Sequence, residues 1–140
     1  EDNCMIAPAI EFPGNCAEAL ALYQEAFRTN DVFMDYYHDA PDDSGIPKAE
    51  ATKGLIMHSG ITIFGSLVNM SDTLDEVVSG NRYKLNVFTS TAEDVKHAFE
   101  VLKVGGKVAV EPGPQFFSPM YAAVTDRFGI DWQIIGPSEK

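Results

Sequence analysis

Two short segments decide the fold of this chain: NCAE at residues 15–18 and STAE at residues 90–93. Each places a short polar residue three positions before a glutamate, which is the pattern of a helix start with an acid in its first turn. Behind each segment, apolar residues recur at helical spacing. They are Leu20, Tyr23 and Phe27 after the first segment and, 75 positions later, Val95, Ala98 and Leu102 after the second. The sequence therefore predicts two equivalent amphipathic helices.

Matching β-like runs flank the two predicted helices. Runs at 5–12 and 83–88 precede them, and runs at 32–37 and 107–110 follow them. These runs are short, apolar and bounded by turn-forming residues, which is typical of strands. Each half of the chain thus begins with strand, helix, strand.

The ends of the two halves also agree. Phe64-Gly65 aligns with Phe128-Gly129 at an offset of 64. The offset is smaller here because the loop at 40–53 has a shorter counterpart at 111–114. Each half then reads strand, helix, strand, strand, strand, which is the signature of an internal repeat.

The halves are predicted at about 4–74 and 82–136 of a single domain, joined by the polar stretch 75–81. The 140 residues are enough for one domain with its own core. One half cannot bury its sheet and helix faces alone, so the two are expected to close around a shared cavity. The alternative is an α+β sandwich whose halves match by chance.

Three blocks of the sequence resemble a known family. Residues 10–20 read IEFPGNCAEAL, residues 56–65 read IMHSGITIFG, and residues 116–132 read FFSPMYAAVTDRFGIDW. They are similar to the opening, middle and closing blocks of the PhnB-like branch of the vicinal-oxygen-chelate superfamily, which includes glyoxalases, extradiol dioxygenases and bleomycin-resistance proteins. The likeness spans about 6–135. Phe117, Ser118 and Ala122 depart from it, because Trp, Gly and Gly are common there.

The resemblance implies an α+β fold in which two βαβββ modules form an eight-stranded cupped mixed sheet with the helices outside. It also implies a homodimer. It does not imply one reaction, since this fold hosts several unrelated activities.

Metalloenzymes of the superfamily take His and Glu ligands from the first and last strands of each half. By the repeat, these positions fall near Pro8 and at 83–84 for the first strands, and at Asn69 and Gln133 for the last strands. Proline offers no donor side chain, Lys84 is a cation, and amide oxygens are weak beside carboxylates. We therefore expect no metal and no other cofactor, with a divalent metal as the alternative.

His58 is the histidine within the family motif, and the repeat places it on the third strand. Imidazole titrates near neutrality, so His58 could be a general base, a hydrogen-bond donor or a single metal ligand. It could equally be a half-buried histidine bonded to a backbone carbonyl. Asp35, His38 and Asp39 are interpreted as a solvated strand end, and His97 as a solvated helix residue.

Aromatic residues indicate binding of a small, partly apolar molecule. The candidate ligand-binding residues are Tyr36, His58, Asn69, Phe117, Tyr121, Trp132 and Gln133, with Phe116 beside them. The rings would supply contact area while Asn69, Gln133 or His58 fix orientation. The alternative is that these rings fill the core. The loop at 40–53 is expected to be either a lid or a dimer contact.

Composition excludes several classes of function. The formal charge of −11 has the wrong sign for nonspecific nucleic-acid or anionic membrane binding. Two cysteines are too few for a disulfide framework, and no apolar run approaches the length of a membrane span. Residues 1–3 also lack the basic region of a secretory signal. We therefore expect a cytoplasmic protein. Gly105-Gly106 is interpreted as a helix C-terminal turn, and no glycine-rich adenosylmethionine loop is found, so a methyltransferase is not expected.

The sequence therefore favours a PhnB-like, metal-free, small-molecule-binding homodimer of unassigned reaction. The alternative is a glyoxalase-type lyase, isomerase or dioxygenase with a rearranged site near His58. A third possibility is an oligomerisation module that has no ligand cavity.

Overall fold

The computed structural model describes residues 4–40 and 53–137, and these contain two helices and eight strands. The helices are α1 (Cys16–Phe27) and α2 (Ala92–Leu102); the strands are β1 (Ala9–Phe12), β2 (Val32–Tyr36), β3 (Ile56–Ile63), β4 (Ser66–Asp72), β5 (Leu85–Phe88), β6 (Lys107–Gln115), β7 (Ser118–Thr125) and β8 (Asp131–Ile135). A 3-10 turn at Tyr37–Asp39 follows β2. The order strand, helix, strand, strand, strand occurs twice, which confirms the α+β fold of two βαβββ modules.

The chain forms two compact units, and the first comprises residues up to Leu20 together with Thr29–Val77. Its mixed sheet has the order β1-β4-β3-β2, with β1 parallel to β4 and the other pairs antiparallel. Side chains alternate between the two faces of a strand. One face therefore carries the buried side chains of Phe12, Ile61 and Met70, and the other, apart from buried Gly60, carries mainly half-buried and exposed residues.

The start of α1 is capped from a distant strand. Asp72, at the end of β4, accepts hydrogen bonds from the backbone N–H of Cys16 at 2.8 Å and of Ile56 at 2.9 Å. Asn15, predicted as the cap, has a buried Oδ1 without a hydrogen-bond partner. The prediction of a helix start here is confirmed, but its capping group is wrong, because a carboxylate is the stronger acceptor at a helix N-terminus.

Cys16 is a free, fully buried thiol at this helix start. Burial, and to a smaller extent the charge of Asp72, raise the pKa of the Cys16 thiol to about 12, while a hydrogen bond with Ser59 acts in the opposite direction. A thiolate is disfavoured both by low polarity and by a nearby negative charge. Cys16 is therefore a core residue in its thiol form.

The second unit comprises Ala21–Arg28 and the chain from Val78 onward. Its mixed sheet has the order β5-β8-β7-β6, with β5 parallel to β8. Helix α2 packs against β6, β7 and β8. The helix contributes Val95, Ala98, Phe99 and Leu102 to the core, as its predicted amphipathic face requires.

The C-terminal part of α1 belongs to this second unit. The rings of Tyr23 and Phe27 lie 5.1 Å and 5.0 Å from that of Trp132, and all three side chains are buried. Arg28, just past the helix end, forms ion pairs with Glu93 at 2.9 Å and Asp94 at 3.2 Å. The helix end is thus held by a buried aromatic cluster and an exposed set of charges.

Two details of the second half differ from the sequence prediction. The N-cap of α2 is Thr91, whose Oγ1 accepts from the N–H of Asp94 at 3.1 Å, so the capping motif is shifted by one residue from that predicted at Ser90. The predicted loop 111–114 lies inside β6, where the pairing with β7 is irregular. Pro112 and Pro114 are tolerated because β6 is an edge strand with register shifts.

Turn glycines recur at matching positions in the two halves. Gly65 and Gly129 have φ angles of +86° and +89°, which favour glycine over any residue with a Cβ. Gly105, with φ of +75°, and Gly106, whose N–H bonds to the Lys103 carbonyl at 2.9 Å, form the turn after α2. The interpretation of these last two glycines as a helix C-terminal turn is confirmed.

Candidate functional site

His58 lies on the exposed face of the first unit's sheet, together with three neighbours that strand pairing brings to it. The register pairs His58 with Asp35, and Gly60 with both Phe33 on β2 and Asn69 on β4. Paired residues, and residues two apart on one strand, share a face. We call Phe33, Asp35, His58 and Asn69 the His58 face.

The polar atoms of the His58 face converge on the imidazole. Asn69 Nδ2 lies 3.4 Å from His58 Nε2 and also donates to the Ser59 carbonyl at 3.2 Å. Asp35 Oδ2 lies 4.0 Å from His58 Nδ1, beyond hydrogen-bond distance but close enough for charge attraction. The Asn69 amide can thus donate to Nε2 of the imidazole, while Nδ1 faces the Asp35 carboxylate.

An aromatic ring borders this polar cluster. The Phe33 ring centroid is 5.3 Å from that of His58. A Cβ on Gly60 would lie 2.5 Å from Phe33 Cε2 and 2.9 Å from Leu67 Cδ1, so only glycine lets these two side chains meet over the strand. The sequence prediction missed Phe33 and Gly60, because only the register of β2 against β3 reveals the pair.

The His58 face remains accessible to a solute. The side chains of His58 and Asp35 are 53% and 62% exposed, and Phe33 is 46% exposed. The arrangement offers a carboxylate, an amide, an imidazole and an aromatic ring on one surface, which are groups that orient a small molecule.

Tyr36, the other candidate in the first unit, lies past an irregularity in the pairing of β2 with β3. Its hydroxyl donates to Met34 Sδ at 3.6 Å, and its ring lies 5.5 Å from that of His38. His38 is exposed and 3.4 Å from Asp39, as expected of a solvated strand end. The contacts of Tyr36 therefore differ from those of His58.

Three candidates of the second unit lie on one side of its sheet or at the adjoining hairpin. Gln133 pairs with Ala123, which is two positions from Tyr121 on the same face of β7. The Tyr121 ring packs edge-on against that of Phe117 at 5.0 Å, and Phe117 against Phe116 at 5.5 Å. The rings form a chain that leads from buried Tyr121 to the hairpin tip between β6 and β7.

Trp132 lies on the opposite face of this sheet from Gln133. Its side chain is 1% exposed. Its Nε1 donates to Asp126 Oδ2 at 2.9 Å, and its ring contacts Tyr23 and Phe27. The structure places Trp132 in the core, as strand alternation requires once Gln133 is on the other face.

His97 is not the solvated residue that the sequence analysis expected. It is half-buried, and its Nε2 lies 2.8 Å from the backbone carbonyl oxygen of Glu25. Both residues belong to the second unit. Helix amphipathicity alone could not reveal this contact, because the carbonyl comes from a segment 72 positions away.

The strand positions at which the resemblance implies metal ligands are near Pro8, at 83–84, and at Asn69 and Gln133. The Pro8 carbonyl accepts from the Asn69 N–H at 2.9 Å, so the two first-unit positions are neighbours. In the second unit, Lys84 Nζ lies 3.7 Å from Asp131 Oδ2. Residues 4–40 and 53–137 contain no group of three or more His, Cys, Asp or Glu that could hold a metal ion.

Most of the loop predicted as a lid or a dimer contact lies outside the residues that the structure describes. Residues 41–52 of the loop 40–53 are not among the described residues. Within the described part of the chain, neither helix is long and apolar enough to cross a membrane.

Comparisons with known proteins agree with this fold. The family model described as 3-demethylubiquinone-9 3-methyltransferase matches residues 4–135. Protein YjdN of Escherichia coli (strain K12) is 26% identical over 136 residues, which cover 92% of each chain.

Solved structures show the same architecture. PA1353 from Pseudomonas aeruginosa superposes with a TM-score of 0.84 at 23% identity, covering 98% of this chain and 100% of that one. A PhnB protein from Bacillus cereus has a TM-score of 0.76 at 22% identity, covering 96% and 100%. The fosfomycin resistance protein FosX from Listeria monocytogenes, in complex with Mn(II) and sulfate, has a TM-score of 0.62 at 9% identity, covering 99% and 96%.

Proposed function

Because the chain belongs to the family described as 3-demethylubiquinone-9 3-methyltransferase, within the PhnB-like branch of the vicinal-oxygen-chelate superfamily, we propose that it is a metal-free small-molecule-binding protein that works as a homodimer. The single observation that carries the proposal is the His58 face. There, Asn69 and Asp35 approach the two imidazole nitrogens beside the exposed Phe33 ring. Family membership does not by itself assign a reaction, since this fold hosts several unrelated activities.

The donor chemistry supports the metal-free part of the proposal. The FosX structure contains Mn(II), whereas the positions at which the family resemblance implies ligands in this chain are Pro8, Tyr83 or Lys84, Asn69 and Gln133. Neutral amides hold a transition ion weakly, and an ammonium repels it. Metal analysis of protein purified without added metal tests this part: we expect less than about a tenth of an equivalent of Mn, Fe, Ni or Zn per chain. One tightly held ion per chain would contradict it.

The methyltransferase description of the family model is not carried over to this chain. The sequence contains no glycine-rich adenosylmethionine loop between a strand and a helix. Here Gly105-Gly106 follows helix α2 and forms its C-terminal turn. This placement supports binding without methyl transfer.

Ligand binding is tested by NMR with a library of small, partly apolar molecules. We expect hits to shift the Asn69 side-chain amide and the backbone amides of β3. Asn69→Ala should weaken such hits at least about tenfold, as loss of a good hydrogen bond does. Asn81→Ala, in the exposed joint between the modules, is the matched control. Hits whose affinity is unchanged by Asn69→Ala would place binding elsewhere.

An enzyme centred on His58 is the second candidate, and the convergence of Asp35 and Asn69 on the imidazole favours it. A carboxylate that closes to hydrogen-bond distance of Nδ1 orients a histidine for proton transfer. On this hypothesis, His58→Ala abolishes turnover or metal retention while the circular dichroism spectrum stays unchanged. On the binding hypothesis, the same variant changes affinity only.

The homodimer is proposed from the family membership, and several large apolar side chains of the described residues are exposed. They include Ile6, Val78, Tyr83, Phe88 and Phe116, which is fully exposed. Light scattering after size exclusion should give twice the 15.3 kDa of one chain. A mass of one chain at micromolar concentration would contradict the dimer and leave the binding site to be tested separately.

Free thiols support a reducing compartment such as the cytoplasm. Cys4 and Cys16 are both unpaired in the described chain. Disulfides are rare in the cytosol, where thiols are kept reduced.

A further inference from the structure

Charge is distributed unequally between the two compact units. Among the described residues of the first unit, Lys53 is the only Lys or Arg, and it lies in the turn before β3. The carboxylates of the same residues are Glu11, Glu18, Asp31, Asp35, Asp39, Asp72, Asp75 and Glu76. In the second unit, Lys and Arg balance Asp and Glu: Arg28, Arg82, Lys84, Lys96, Lys103, Lys107 and Arg127 stand against Glu25, Glu93, Asp94, Glu100, Glu111, Asp126 and Asp131. The described negative charge is therefore concentrated in the unit that carries the His58 face.

The open face of the first sheet repeats this pattern at the level of single residues. Asp35 lies on it opposite His58, and Glu11 lies on it opposite Ser71 of β4. No strand residue of this face is a Lys or Arg; its remaining members on the four strands are Ala9, Phe33, Gly60, Thr62, Leu67, Asn69 and Ser71. A bound anion would thus meet two carboxylates and no strand-borne cation on this surface.

An organic cation would find complementary groups on the same surface. The Phe33 ring can attract a cation over its π-face, and an aromatic ring beside a carboxylate is a recurrent arrangement for substituted ammonium groups. Asp35 lies near the ring because Phe33 and Asp35 are two apart on β2, on one face. The negative potential of the unit would also raise the local concentration of cations.

We infer that the ligand of the His58 face is an organic cation with an apolar part, such as a substituted ammonium, rather than an anion. The inference rests on the proposed binding function and adds the charge class of its ligand.

The test uses three benzyl compounds that differ in charge: benzyltrimethylammonium, benzyl alcohol and benzylphosphonate. Each is titrated into the full-length protein while NMR follows the Asn69 side-chain amide and the amides of Phe33 and His58. We expect the ammonium compound to bind at least about tenfold more tightly than the phosphonate. Asp35→Asn should weaken the ammonium compound about threefold to tenfold, as expected for one partly exposed charge contact.

Glu18→Gln is the matched control, because it removes the same charge from an exposed position in α1 of the same unit. It should change affinity less than about twofold, since exposed charges at a distance are screened. Equal losses in both variants would overturn the role given to Asp35.

The outcomes separate the charge inference from the proposed function. Preferential binding of benzylphosphonate at the same amides would overturn the inference that the ligand is a cation, while the proposed binding site would stand. The inference would also be overturned if library compounds shift these amide resonances and benzyltrimethylammonium does not. If neither the library nor the three probes perturb the His58 face, the proposed site itself is wrong.

Discussion

The Tyr23 hydroxyl donates a 2.6 Å hydrogen bond to Asp126 Oδ2, across 103 positions of sequence. The same oxygen accepts from Trp132 Nε1, and Asp126 Oδ1 accepts the backbone N–H groups of Phe128 and Ile130 at 2.9 Å and 3.1 Å. Four donors thus replace water around a buried carboxylate. Such a group stabilises a fold only while its hydrogen bonds are complete.

Asp126→Asn is expected to lower the free energy of unfolding by about 2–4 kcal/mol, because an amide nitrogen would face donors in place of one carboxylate oxygen. Tyr23→Phe removes one donor of four and should cost about 1–2 kcal/mol. Urea denaturation followed by circular dichroism measures both values. Asp75→Asn, in the exposed joint, is the control and should stay within about 0.5 kcal/mol of the parent. An Asp126→Asn variant as stable as this control would show that the network adds little.

Cys16 should resist thiol reagents in the folded protein. Its pKa is raised to about 12, so the reactive thiolate is scarce at neutral pH, and the side chain is buried. Cys4 is exposed and should react. A colorimetric thiol assay at pH 8 should therefore find one reactive thiol in native protein and two in denaturant. The Cys4→Ser variant should show none until it unfolds; rapid native labelling of that variant would disprove the buried placement.

The Arg28 guanidinium lowers the pKa of Glu93 through a hydrogen bond and charge attraction. Because the folded pKa lies below the unfolded one, the contribution of this pair to stability is present above the ordinary glutamate pKa. It is lost as pH falls through the lowered value. Carboxyl carbon NMR should find Glu93 titrating at lower pH than in Arg28→Gln. Both residues are exposed, so added salt should reduce the difference. Identical titrations in the two proteins would show that the pair is not formed in solution.

Gly60→Ala should displace the Phe33 ring. The added methyl group would meet that ring at 2.5 Å, while half-exposed Phe33 is free to rotate outward. The ring-current shift that Phe33 imposes on the His58 ring protons should therefore decrease, and affinity for hits at the His58 face should fall. Gly80→Ala is the matched control, because a Cβ there meets nothing within 4 Å. Unchanged His58 resonances in Gly60→Ala would mean that the two rings do not pack as described.

Local patterns determined most of the architecture. Helical spacing predicted the buried faces of α1 and α2, and the internal repeat predicted the order strand, helix, strand, strand, strand in each half. The placement of His58 on the third strand followed from the repeat and is confirmed. These features depend on residues a few positions apart, whose spacing is visible in the sequence itself. The assignment of ligand-binding roles to His58, Asn69, Gln133 and the aromatic residues stays a prediction.

Long-range pairing decided the rest. Only the tertiary structure shows that Asp72 caps α1, that Trp132 faces the core while Gln133 faces away, and that Phe33 lies over Gly60 beside His58. Each depends on strand register or on contacts between segments far apart in sequence. A shift of one residue in register exchanges the two faces of a strand, and no local pattern reports which side chain of a distant strand lies opposite.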